Sequence, residues 1–274
     1  MKPGGTLRSP VATLVTALGI IFLVVPIAVV VLFSFHKTAA LSLPFKGFSL
    51  RWYGAMFHDE AFRDAIKTSL VLSTMVAAIS LVLGTATAYG LSRVSPRWRV
   101  PVSALVFLPL AVPLLFVGLS LFSFFARVGI DLSWTTLVIG HLVYVLPYFM
   151  LIVLVALSRL DPALEEAAAD LGASPARLFF KVTLPQVWPV IAAATALVFA
   201  LSFDEFPITY WVAGQQTTVP LFIFALLRRA VDPTLNAVST LLMVVTLLLF
   251  AISFVVIVRA DRRRTRQAAG EVNV

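Results

Sequence analysis

The chain has 274 residues, of which 60% are hydrophobic and only 12% charged, with a mean hydropathy of +1.00. Soluble domains carry roughly 25% charged residues, so lipid rather than water must solvate most of this surface. The sequence has no cysteine, which excludes disulfides, thiolate metal sites and a cysteine nucleophile, and its three widely separated histidines argue against a metal cluster. The net charge of +8 does not signal nucleic acid: Arg259, Arg262, Arg263, Arg264 and Arg266 directly follow the last apolar run, where a membrane anchor places them.

Crossing a ~30 Å hydrocarbon core takes about 20 apolar residues in a helix. Six such runs are predicted: Val11–Phe35, Thr68–Leu91, Pro101–Phe125, Thr135–Leu157, Val187–Phe206 and Leu235–Val258. The fold class is therefore all-α and polytopic, with one membrane domain over residues 1–274 and its core at 68–258. The first run is too long for a cleaved signal segment and is expected to remain as an anchor. Lys2, Arg8, Arg93, Arg97, Arg99, Arg159, Arg177, Lys181 and the last arginines share one side if the runs alternate. Basic residues gather on the cytoplasmic side, so both termini and the 159–186 loop are expected there.

Between the first two runs, Ser49 is placed to cap a short helix carrying Trp52, Tyr53, Met56 and Phe57 on one face. A helix lying in the outer interface accounts for it, and Trp52 and Tyr53 also offer faces for a cation–π contact. His141, inside the fourth run, reads as hydrogen-bonded between helices, with a proton relay as the other reading.

The polar break after the fourth run is the most structured loop in the sequence. Asp161-Pro162 and Ser174-Pro175 each set a capping side chain before a proline. Gly172 stands where a helix should stop, and Pro185 is expected to end a second one. Leu164, Ala167, Ala168 and Leu171 form one apolar face, with Glu165, Glu166 and Asp170 on the polar side. That face is either a docking surface with alanines permitting close approach, or a hairpin packed on its own bundle.

Asp204 and Glu205 are the clearest ionisable groups near a membrane segment. At ~1.5 Å per residue they stand roughly 25 Å along the fifth run, near its outer mouth. They either attract a cationic solute there, with Ser202 adding a hydroxyl, or merely reach headgroup water.

Glu166-Ala167-Ala168, Gly172, Val182 and Leu184-Pro185 stand at the spacing of the EAA loop of ABC-importer permeases, which the chain resembles. The family often has Ile where Val182 stands. Phe48-Ser49-Leu50-Arg51-Trp52-Tyr53 and Ser202-Phe203-Asp204-Glu205-Phe206 resemble the spermidine/putrescine-type branch. The resemblance implies a subunit that moves solute without hydrolysing anything. Its loop helix would seat on cytoplasmic ATPase subunits, which hold the ATP and Mg, while this chain has no phosphate loop and no cofactor of its own. A second homologous permease and an extracytoplasmic solute-binding protein would complete the machine in the inner membrane. Glu166, Ala167, Ala168, Gly172, Leu184 and Pro185 would be its coupling residues. An ion-coupled carrier and a non-transporting scaffold are the alternative functions.

Overall fold

The computed structural model describes residues 10–38, 44–229 and 233–271; Lys2 and Arg8 of the predicted anchoring set lie outside them. Among the described residues the chain is helical, apart from an isolated bridge between His36 and Phe48. Five of the described helices are long and apolar enough to cross a membrane, or six if one bent pair counts as a span. The chain falls into two compact units: Met1–Glu60 with Ile223–Met243, and Ala61–Phe222 with Val244–Val274.

The first unit contains α1 (Pro10–Ser34), which is apolar all round and exposed along most of its length. Its end is tied down by α2 (Arg51–His58). The Tyr53 hydroxyl shares a hydrogen bond with Ser34 at 2.7 Å, and Trp52 Nε1 donates to the His36 carbonyl at 2.7 Å. Met56 of the same helix is buried, while Phe57 stays half exposed. Ser49 acts one position earlier than a cap, accepting from Arg51 N at 3.2 Å.

In the second unit, α3 (Glu60–Ile79) continues through a π-helical turn at Ser80–Gly84 into α4 (Thr85–Ser92), giving one 33-residue span. The third predicted run is not one helix. It divides into α5 (Pro96–Phe107), a 3₁₀ turn at Leu108–Ala111 and α6 (Leu114–Val128), bent by 102°. The cause is local: neither Pro109 nor Pro113 has an amide proton to give, and Val112, placed before Pro113, is extended at φ −99°, ψ 131°.

Next come α7 (Trp134–Leu157), α8 (Pro162–Asp170) and α9 (Pro175–Leu178). Then α9 runs through a second π turn, Phe179–Thr183, into α10 (Leu184–Phe203) as one 29-residue helix. Pro185 therefore does not end the second loop helix, contrary to the sequence expectation. The π turn carries the chain past it: Leu184 N bonds to Phe179 O, five residues back. Pro185 then stands in the first turn of the resumed α-helix. The remaining elements are α11 (Thr209–Val212), α12 (Val219–Arg229) and α13 (Pro233–Glu271).

The core of this unit is α7 packed against α10 and α4, through Ala88, Leu91, Val145, Phe149, Val153, Ile191 and Val198. Small residues set the approach distance, as they do between membrane helices. A Cβ on Gly84 would overlap the ring of Phe149, which is fully buried and has nowhere to go. Gly118 and Gly140 leave room for the segment around α11: a Cβ would lie 2.9 Å from Ile208 Cα at the first and 2.9 Å from Ile208 Cγ2 at the second. Gly84→Ala is expected to cost about 1–3 kcal/mol by overpacking, and Phe149→Leu to restore part of it. Thermal unfolding in detergent micelles measures both.

Candidate functional site

Two polar clusters lie at the ends of these helices, and both belong to the second unit. The first is the hairpin of α8 and α9. Asp161 accepts from Ala163 N at 3.0 Å and Ser174 from Arg177 N at 3.4 Å, so both predicted caps form. Between them Gly172 takes φ +79°, a left-handed value that side chains resist. Gly172 N bonds to Ala169 O at 2.8 Å and Ala173 N to Ala168 O at 3.0 Å. That pairing is a Schellman cap, which closes α8 and fixes the bend.

The expected apolar face is not packed on its own bundle. Leu171 is 89% exposed, Leu164 is half exposed and Ala167 is open. Glu166 is exposed, with no ion pair or hydrogen bond from its side chain among the described residues. Its neighbour Glu165 is the opposite. It accepts from Arg93 Nη2 at 2.6 Å on both oxygens and from Thr183 Oγ1 at 2.7 Å. Burial pushes the Glu165 carboxyl up, but the hydrogen bonds from Arg93 and Thr183 and the charge of Arg93 outweigh it and hold it below the usual range. The hydrogen bond to Glu165 raises Arg93 in turn, against a smaller opposing effect of burial. The Arg93 guanidinium also lies over the Tyr89 ring at 4.8 Å, and Tyr89 packs on Phe179 at 4.6 Å.

The second cluster surrounds His141, buried in α7. Its Nδ1 lies 2.8 Å from Ser202 Oγ and its Nε2 2.9 Å from Thr209 Oγ1. The Glu205 carboxylate accepts from Ile208 N at 2.6 Å, Thr209 N at 2.9 Å and Thr209 Oγ1 at 2.7 Å. With Glu205 an acceptor only, Thr209 gives its proton to the carboxylate and can only accept from His141 Nε2–H. A neutral imidazole then accepts the Ser202 proton at Nδ1. The network joins α7, the end of α10 and α11, as the interhelical reading of His141 required.

Asp204 and Glu205 thus part company. Glu205 is buried and occupied by backbone and Thr209 donors. Asp204 is exposed and lines a cavity of about 110 Å³ with Leu114, Tyr144, Ala200, Leu201, Glu205, Pro207 and Phe250. Ser202 is buried against His141 and faces no open space. Trp52 and Tyr53 have their polar atoms engaged at the end of α1, and Arg51 already covers the Trp52 ring at 4.0 Å.

Residues 80–267 match the family described as binding-protein-dependent transport system inner membrane component. The chain belongs to this family. It is 32% identical over 267 residues to the putrescine transport system permease protein PotI of Escherichia coli (strain K12), covering 94% of this chain and 95% of that one. It is 32% identical over 233 residues to the spermidine/putrescine transport system permease protein PotC of Haemophilus influenzae, covering 85% and 90%. A bacterial ABC transporter that imports the acidic polysaccharide alginate has the same fold, with a TM-score of 0.65 at 18% identity over 93% of this chain and 94% of that one. The chain is thus a permease subunit of an ABC importer, a non-enzymatic, multi-pass component of the inner membrane. Family membership sets aside an ion-coupled carrier and a scaffold.

Sequence reasoning on the permease missed the Arg93–Glu165–Thr183 cluster. Arg93 was legible only as an anchoring charge, and Glu165 only as part of a polar face. The partners lie 72 residues apart, so no local spacing joins them. The Glu205-x-x-x-Thr209 spacing after a helix end was the available sign of a local cap. Thr209→Val leaves His141 Nε2 without an acceptor and Glu205 short of a donor. It is expected to destabilise the permease by roughly 1–3 kcal/mol, while Thr209→Ser stays near the parent. Thermal unfolding of the two variants side by side decides it.

Proposed function

We propose that this permease imports a small organic cation of the polyamine kind, powered by ATP hydrolysed with Mg on separate cytoplasmic subunits. In this reading α8 is the coupling helix. A second homologous permease completes the pathway, and an extracytoplasmic binding protein delivers the solute. Both termini and the 159–186 hairpin face the cytoplasm, where the arginine-rich flanks favour them.

One observation carries the reading: α8 is closed at both ends, yet presents the side chains of Leu164, Ala167, Leu171 and Glu166 uncovered among the described residues. A stiff, uncovered, mixed apolar and acidic helix suits docking into a groove. Glu166 supplies the polar contact, Ala167 and Ala168 the close approach, and Gly172 the bend. Leu184 and Pro185 stand where the hairpin becomes the fifth span, so they hand its movement to α10. The names of PotI and PotC support a polyamine-like cation, and so does Asp204, open beside the ring of Tyr144. Glu205 and Ser202 hold the shape of that mouth from beneath. Trp52 and Tyr53 anchor α2 to the end of α1 and are not proposed as solute contacts.

Glu166→Lys and Gly172→Pro are expected to abolish uptake while the chain still inserts and accumulates. Radiolabelled uptake into vesicles, with immunoblotting for level, tests this. Normal transport by both in an intact assembly would remove the coupling role. Asp204→Asn is expected to lower uptake of a cationic solute about tenfold at low concentration, by losing local enrichment at the mouth. Unchanged initial rates at low salt would show that Asp204 attracts nothing.

A further inference from the structure

The hairpin is attached to the helices it is meant to move by very little. Apart from α9 and the π turn at Phe179–Thr183, α8 has no extensive packing partner. Beside it lies an open cavity of about 560 Å³, bounded by Leu91, Arg99, Ser103, Leu154, Ser158 and Asp161 together with Arg93 and Glu165. A helix pushed at its far face would tip into that space instead of displacing α4. Among the described residues no extensive packing joins α8 to α4; an ion pair from Arg93, the residue that closes α4, reaches across.

We propose that Arg93 and Glu165 are positioning residues that latch the coupling helix to α4 and α10, so that its displacement moves the membrane helices as one piece. The latch closes a ring of contacts. Arg93 binds both oxygens of Glu165, one of which also holds Thr183. Thr183 is fully buried at the end of the π turn that leads into α10. Tyr89 supports the guanidinium from beneath and packs on Phe179 of that same π turn, which returns the ring to its start. Among the described residues no other side-chain hydrogen bond or ion pair joins α8 to α4, α5 or α7. Arg93 is half exposed, so the pair is screened and adds little to the stability of the fold. Its value is positional: one nitrogen, Nη2, held between both oxygens ties the carboxylate to the end of α4.

The inference rests on α8 being the seat of an ATPase, and its test is arranged to score the two separately. The complete importer is reconstituted in proteoliposomes, with uptake and ATP hydrolysis read together. Arg93→Ala and Glu165→Gln are expected to keep the ATPase subunits bound and hydrolysing, while solute moved per ATP falls roughly three- to thirtyfold. The exchanged pair, Arg93→Glu with Glu165→Arg, is expected to transport more per ATP than either single variant, since it restores the attraction. Coupling at the parent level in both single variants overturns the latch, and so does an exchanged pair no better than the singles. If these chains fail to accumulate, Arg93→Lys is read in their place for the same fall in solute per ATP. Failure of that variant to accumulate as well makes the pair a folding element and overturns the latch. In the otherwise unchanged importer, Glu166→Cys is cross-linked to its neighbours. An adduct with the ATPase beside full coupling in the single variants removes the latch and leaves the seat, whereas no adduct removes the seat itself.

Discussion

Hydrocarbon offers no hydrogen bonds, and that single deficiency shapes most of this chain. Every backbone donor and acceptor at membrane depth must find its partner within the helix that carries it. Long uninterrupted helices are the result, and interruptions survive only where something else takes up the freed groups. The two π turns obey the rule, since a wider turn still pairs each amide with a carbonyl. The break between α5 and α6 obeys it differently: prolines at 109 and 113 remove donors at the bend, so fewer amides are left to satisfy there.

The same deficiency gathers the polar side chains into knots. In the interior, His141, Ser202, Thr209 and Glu205 satisfy one another and the backbone of Ile208 and Thr209. Glycines at 118 and 140 let the segment carrying Ile208 come close enough for this to happen. Small residues and the polar knot are therefore one device: the first permits the approach, and the second fixes the register once it is made. Two adjacent carboxylates then take opposite roles by geometry alone. Glu205 turns inward onto amide donors, and Asp204 is left to face open space.

Much of this was legible in the sequence, and the parts that were share a physical reason. Caps at Asp161 and Ser174, the stop at Gly172 and the apolar face of α8 are local effects, decided within one helical turn. Run length placed the spans because the bilayer imposes it from outside. What escaped depends on contacts between distant segments or on adjustments that propensity does not encode. Pro185 reads as a helix end, yet an extra residue in the preceding turn carries the helix past it. The third run is continuous in hydropathy, and only the paired effect of two prolines bends it by 102°. Arg93 and Glu165 carry no mutual mark in the sequence.

In the coupling role proposed for it, α8 needs both kinds of residue, and its neighbouring glutamates supply them. A helix that docks onto a moving partner must keep some groups unsatisfied within its own chain, or it has nothing to offer. It must also be held by groups that are satisfied, or the push it receives is lost in its own tilting. On one turn of α8, the Glu166 side chain has no polar partner among the described residues and Glu165 is bound on both oxygens. Adjacent positions on a helix point about 100° apart, so the two proposed functions stay on separate faces without interfering. Capping at both ends of α8 keeps those faces in fixed relation, because a frayed turn would let either glutamate swing into the other's place. In the proposed coupling role, the Schellman closure at Gly172 thus keeps two identical side chains, one residue apart, to separate tasks.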